Sequence, residues 1–154
     1  MNNRSLNINC IKNFGAFKLN IELNIVPSFT AIFGVSGAGK TTLLNLISGL
    51  IRLDAGSIEW DGRSISDHNQ KIHIPPHKRG IGYIFQDSRL FPHKSVINNL
   101  KYGWRLTPVN QRRFSVDEVV DVLQLKPFLQ RRPVSLSGGE KQRVALGRAL
   151  LASP

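Results

Sequence analysis

Gly34-Val35-Ser36-Gly37-Ala38-Gly39-Lys40-Thr41 is the stretch that decides the fold. Three glycines among six residues cannot build a core. They suit a backbone that must come very close to something. The stretch follows Thr30–Phe33, which reads as a short buried strand. It opens a run from Lys40 to Leu50 in which Leu43, Leu44, Leu46, Ile47 and Leu50 give a helical apolar face. Strand, G-x-x-x-x-G-K-[ST], helix is the context of a phosphate-binding loop. Successive N–H groups of Gly34, Ser36, Gly37, Ala38, Gly39 and the helix start at Lys40, Thr41 and Thr42 form a positive concavity for phosphate oxygens. Lys40 reaches the β and γ phosphates, and the Thr41 hydroxyl can join a Mg²⁺ shell. The implied ligand is a nucleoside triphosphate. The G-x-G-x-x-G of a dinucleotide fold is not present.

Upstream, Leu6–Ile11 and Phe17–Ile25 alternate apolar and polar residues as strands do, and Pro27 breaks the second. Downstream, turns at Asp54-Ala55-Gly56 and Asp61-Gly62 flank a short strand, Ser57–Trp60, which predicts a hairpin. Ser66–Arg79 is polar, contains Pro75 and Pro76, and reads as a surface loop. Gly80–Phe85 reads as a strand. Ser95–Tyr102 and Ser115–Leu125 read as helices, each with a serine available at its N-cap, and Gly138–Leu151 as a final helix. The order predicts an α/β core with an antiparallel addition.

Composition limits the alternatives. The chain has 154 residues, 41% hydrophobic and 20% charged, as an ordinary globular protein does. No apolar run approaches the roughly 20 residues that span a bilayer. The first residues lack the apolar core of a secretory signal. The formal charge of +11 is scattered rather than gathered in a basic tail, and aromatics do not interleave with it. Nucleic-acid binding is therefore not expected. The single cysteine, Cys10, reads as a small apolar strand residue, and a cytoplasmic location fits the whole.

A second glycine-rich stretch is Leu136-Ser137-Gly138-Gly139-Glu140-Lys141-Gln142-Arg143. Ser137 and Glu140 have the spacing of a capping box. A cap does not call for Gly138 and Gly139, which are poor helix formers. Two glycines in a first turn leave bare N–H groups facing outward for an anion.

Taken with the first loop, roughly 100 residues earlier, LSGGEKQR resembles the signature of the ATP-binding subunits of ABC transporters. Tyr83-Ile-Phe-Gln86-Asp87 looks like that family's Q-loop. The resemblance covers essentially the whole chain. It implies a P-loop NTPase α/β fold with an antiparallel β subdomain and a helical subdomain, with residues 1–154 as the N-terminal part of one ATP-binding domain. It also implies a homodimer with ATP and Mg²⁺ at its interface. Gly34–Thr42 of one subunit would hold the nucleotide, and Leu136, Ser137, Gly138, Gly139 and Glu140 of the other would cap it. Lys40 and Gln86 would serve catalysis, with Gln86 and Thr41 at the Mg²⁺. The family stacks an N-terminal aromatic on adenine; Phe14 is the best positional match, with Phe17 as its rival. Glu140 stands where Gln is usual, a harmless exchange in a capping box.

Within the family, Ile32–Thr41 and Arg79–Gly103 look like the molybdate-importing subgroup. That implies membrane permease subunits and a periplasmic molybdate-binding protein as partners, at the cytoplasmic face of the inner membrane. Leu90, Phe91, Pro92 and His93 would lie where the family docks the permease. Sulfate, iron or polyamine importers share parts of the pattern. A soluble ABC-type ATPase acting on DNA or ribosomes usually has longer insertions, and an inactive remnant is a further alternative. No apolar run ending in Asp-Glu, the family's Walker B strand, occurs in the 154 residues, nor do a D-loop and histidine switch follow. Such a strand would lie beside Thr30–Phe33, whose apolar edge is otherwise unpaired. These residues alone are therefore expected to bind ATP weakly and hydrolyse it negligibly.

Overall fold

Leu6, Ile8 and Cys10 point the same way along β1 (Leu6–Phe14), and all three are buried. The computed structural model describes residues 5–26 and 29–154, which divide into two units, one through Arg79 and one from Gly80. The expected break at Pro27 lies outside the described residues.

In the first unit β1 forms a hairpin with β2 (Phe17–Ile25), in register from Leu6 opposite Ile25 to Phe14 opposite Phe17. Its other edge pairs with β3 (Ala55–Trp60), placing Ile8 opposite Ile58. β4 (Arg63–Asp67) and the two-residue β5 (Ile72–His73) complete the antiparallel sheet β2-β1-β3-β4-β5. Helix α1 (Lys40–Ser48) joins Leu43 and Leu46 to the core of Leu6, Ile8, Leu19, Ile58 and Ile65. Full burial of side chains such as Ile8, Leu46 and Ile58 stabilises the unit by about 1.5–3 kcal/mol each. Cys10 is fully buried in this core, and burial pushes its thiol pKa up.

The second unit is helical: α2 (Val96–Leu106), α3 (Val116–Val122) and α4 (Gly138–Leu151). Val96, Leu100, Val119, Val144 and Leu151 meet in its core. Asn99 is fully buried on α2. Its Oδ1 accepts from the Phe91 N–H at 2.8 Å, and its Nδ2 lies within 3.2 Å of the Phe91, Lys94 and Ser95 carbonyls, which fixes the loop before α2. Ser115 caps α3 through a reciprocal pair with Glu118, whereas Ser95 sits at the N-cap of α2 without a side-chain bond. Among the described residues, no helix is long and apolar enough to cross a membrane.

Three expectations are corrected. Thr30–Phe33 and Gly80–Phe85 are not strands; residues 29–35 and 81–85 carry no ladder. A strand exists only through its partner, and neither segment finds one among the described residues. Phe29 and Phe33 are accordingly 96% and 90% exposed. The Ser66–Arg79 stretch is no simple surface loop. It completes β4, supplies β5, and ends on Arg79, which is buried.

Desolvation, then the positive charges of Arg52 and Arg79, push the His73 imidazole below its ordinary value. The folded state thus binds this proton less readily than the unfolded chain does. The stabilisation is fully present above pH 6.5 and is lost as pH falls through the depressed folded value. Urea midpoints of wild type measured from pH 7.5 to 5 should fall more steeply than those of His73→Gln.

Candidate nucleotide-binding site

The first glycine-rich loop curls around the ammonium of its own lysine. Lys40 Nζ donates to the carbonyls of Gly34 and Val35, both at 2.7 Å. The Ala38 N–H closes a turn onto the Val35 carbonyl at 3.3 Å. Gly39, the N-cap of α1, has φ 90°, a left-handed conformation that a side chain would strain. A Cβ there would also lie 2.7 Å from Leu19 Cδ1 and 3.1 Å from Phe17 Cζ, so the loop rests on β2 with no room for one.

No side chain caps α1, and no acidic residue occupies its first turn. The first bond into the helix is Leu43 N–H to the Gly39 carbonyl at 2.9 Å. Among the described residues, the N–H groups of Gly39, Lys40, Thr41 and Thr42 have no acceptor. Four adjacent unpaired donors at the positive end of a helix, beside an ammonium, have the chemistry of a phosphate receptor. Ser36, Gly37 and Ala38 are exposed around it, as is Thr41. Among the described residues no group of three or more His, Cys, Asp or Glu side chains is placed to hold a metal.

Phe14 and Phe17 face each other across the β1–β2 turn, 48% and 39% exposed. Phe17 is the one whose ring reaches Gly39. Lys12 Nζ lies 5.6 Å over the Phe14 ring.

The second stretch forms the start of α4. Ser137 Oγ accepts from the Glu140 N–H at 3.3 Å, and Glu140 Oε2 accepts from the Ser137 N–H at 2.7 Å, the reciprocal cap expected from the spacing. That Ser137 N–H bond holds the Glu140 carboxyl below the usual carboxylate range. Leu136 is buried and anchors the turn, while Ser137, Gly138 and Gly139 are exposed. A Cβ on either glycine would meet nothing within 4 Å. The glycines are therefore not required by packing inside this chain. The Ser137 hydroxyl accepts in the cap and keeps its own proton to donate.

Gln86 is exposed, and its carbonyl accepts from Gln142 Nε2 of α4 at 2.6 Å. Arg148 of the same helix donates to the carbonyls of Arg89 at 2.9 Å and Ser88 at 3.2 Å. Ser88 and Arg89 hold positive φ of 60° and 40°, strained for such residues. Sequence reading missed Gln142, Arg148 and Asn99. Each acts on backbone carbonyls or amides of a distant or irregular segment, and no periodicity marks such a partner.

Residues 19–154 match the family model described as ABC transporter. Molybdenum import ATP-binding protein ModC of Mesorhizobium japonicum is 54% identical over 140 residues, covering 91% of this chain and 38% of that protein. The protein of the same name from Escherichia coli strain CFT073 is 56% identical over 125 residues, covering 81% and 34%. The chain thus spans about two fifths or less of these curated relatives. Among solved structures, a dimeric post-hydrolysis state of the ATP-binding cassette MJ0796 bound to ADP and Pi has a TM-score of 0.75 at 27% identity. It is matched over 98% of this chain and 70% of that one.

Removing either cap should lower stability. Ser137→Ala is expected to cost about 1 kcal/mol, and Ser115→Ala a similar amount, by urea denaturation followed by circular dichroism.

Proposed function

Because this chain belongs to the ABC transporter family of ATP-binding proteins, we propose that it is the ATP-binding part of an importer ATPase that drives molybdate uptake. The observation that carries this is the set of unpaired N–H groups at Gly39–Thr42, curled beside Lys40. The names of the relatives, about half identical in sequence, support molybdate over sulfate, iron or polyamine.

The roles follow from the chemistry of each group. Gly34, Ser36, Gly37, Ala38 and Gly39 wrap the phosphates with their backbone, and Thr42 adds its N–H. Lys40 exchanges two carbonyl contacts for phosphate oxygens, so its charge is already housed where it is used. Thr41 and Gln86 offer oxygens to Mg²⁺. Phe14, or Phe17 beside the loop, stacks on the base. Bound ATP with Mg²⁺ supplies the phosphoanhydride whose cleavage powers transport.

Ser137, Gly138 and Gly139, between Leu136 and Glu140, present a hydroxyl and two N–H groups to the nucleotide of a second copy. Open space around both glycines supports a partner from outside the chain. In this reading residues 1–154 are the N-terminal part of one ATP-binding domain. It acts as a homodimer on the cytoplasmic face of the inner membrane, with permease subunits and a periplasmic molybdate-binding protein. The 154 residues include Lys40 and Gln86 but no apolar run ending in Asp-Glu; by themselves they are expected to bind ATP weakly and hydrolyse it negligibly.

Lys40→Ala should weaken ATP binding at least about 100-fold, because it removes a charge-assisted contact and the loop's internal anchor. Ser137→Ala should leave binding by a single chain within about twofold, yet abolish ATP-dependent pairing seen by analytical ultracentrifugation. Equal losses of single-chain affinity in the two variants would overturn the placing of Ser137 against a second copy's nucleotide.

A further inference from the structure

Arg79 is 9% exposed, and among the described residues no carboxylate pairs with it. Its guanidinium nevertheless uses all five of its donors. Nε donates to the Ile74 carbonyl at 2.6 Å. One terminal nitrogen donates to the Leu46 carbonyl at 3.1 Å and the Ile47 carbonyl at 2.8 Å. The other donates to Ser66 Oγ at 2.7 Å and meets His73 Nδ1 at 3.4 Å. Arginine has no acceptor, so a hydrogen bond at this contact requires an Nδ1 without a proton.

Leu46 and Ile47 lie in the last turn of α1, where carbonyls lack donors from the helix itself. Ser66 and His73 belong to β4 and β5, and Ile74 follows directly. One side chain therefore fastens the C-terminal end of α1 to the far edge of the sheet. The contact is close: a Cβ on Gly49, the residue that ends α1, would lie 2.4 Å from Arg79 Nε. A cation at this end also complements the helix dipole.

The opposite end of the same nine-residue helix carries Lys40 and the unpaired N–H groups. A helix of that length is a stiff rod of roughly 13 Å. A tilt or slide allowed at one end displaces donors at the other. We propose that Arg79 is a positioning residue of the nucleotide site, which sets the phosphate-facing donors of α1 by holding the helix from behind. This rests on the reading of Gly34–Thr42 as the phosphate site. Lysine cannot replace arginine here, because a rotating ammonium offers three donors without the planar fork.

The test uses the full chain, with fluorescent N-methylanthraniloyl-ATP and Mg²⁺ titrated against wild type, Arg79→Met, Arg79→Lys, Lys40→Ala and Ile8→Ala. Ile8→Ala lowers stability from β1, in the core that α1 shares, and removes no hydrogen bond from either end of α1. Urea midpoints are recorded for each. Both Arg79 variants should lose about tenfold or more in ATP affinity, whereas Ile8→Ala stays near wild type despite its lower midpoint. If Arg79→Met has no cooperative unfolding transition, Arg79→Lys carries the comparison. Full affinity in Arg79→Lys, or a loss no larger than that of Ile8→Ala, would overturn the positioning role. Wild-type affinity in Lys40→Ala would instead overturn the phosphate-site reading, and the Arg79 proposal with it.

Discussion

Four consecutive backbone N–H groups, from Gly39 to Thr42, stand at the start of α1 with no acceptor among the described residues. Most helices satisfy such donors with a serine, threonine or aspartate. This one begins on a glycine at φ 90° and has no acid in its first turn. Leaving donors bare in this way is tolerable only where water or an anion takes them. The rest of the first unit keeps that short helix in place. Leu43 and Leu46 bury it against β1 and β3, Gly39 rests on Leu19 and Phe17, and Arg79 holds the other end.

The second unit solves the same problem differently. At the start of α4 the Ser137–Glu140 pair satisfies two donors within the chain, and two glycines leave the adjoining surface uncovered. The helix end is stable without a ligand and still presents a hydroxyl and N–H groups outward. That division suits a surface that meets a nucleotide held by another copy. Farther along the same helix, Gln142 and Arg148 take the carbonyls of Gln86, Ser88 and Arg89. The exposed Gln86 side chain therefore sits on a turn whose backbone is held from α4.

Both glycine-rich loops, the Ser137–Glu140 capping box and the four described α-helices were legible from residue order, because each rests on contacts within a few positions. Helix limits moved by a few residues, as at α2, which runs on to Leu106. Strands were legible only where a partner lay nearby in sequence, as β2 does for β1. Thr30–Phe33 and Gly80–Phe85 show why. Apolar content makes a segment eligible for a sheet, but the ladder is made by another segment, and none among the described residues supplies it.

The sequence by itself determined the glycine-rich turn into α1, the capped start of α4 and the family, since glycine positions, one lysine and one capping pair act through local backbone geometry. Only the tertiary structure decided which polar residues are structural. Arg79, His73, Asn99, Gln142 and Arg148 look like ordinary surface residues in the sequence. Each meets groups that chain folding brings to it, Arg79 with Leu46 across 33 residues and Arg148 with Ser88 across 60. A hydrogen bond needs its donor and acceptor within about 3 Å, and residue order alone does not fix that distance for groups so far apart along the chain.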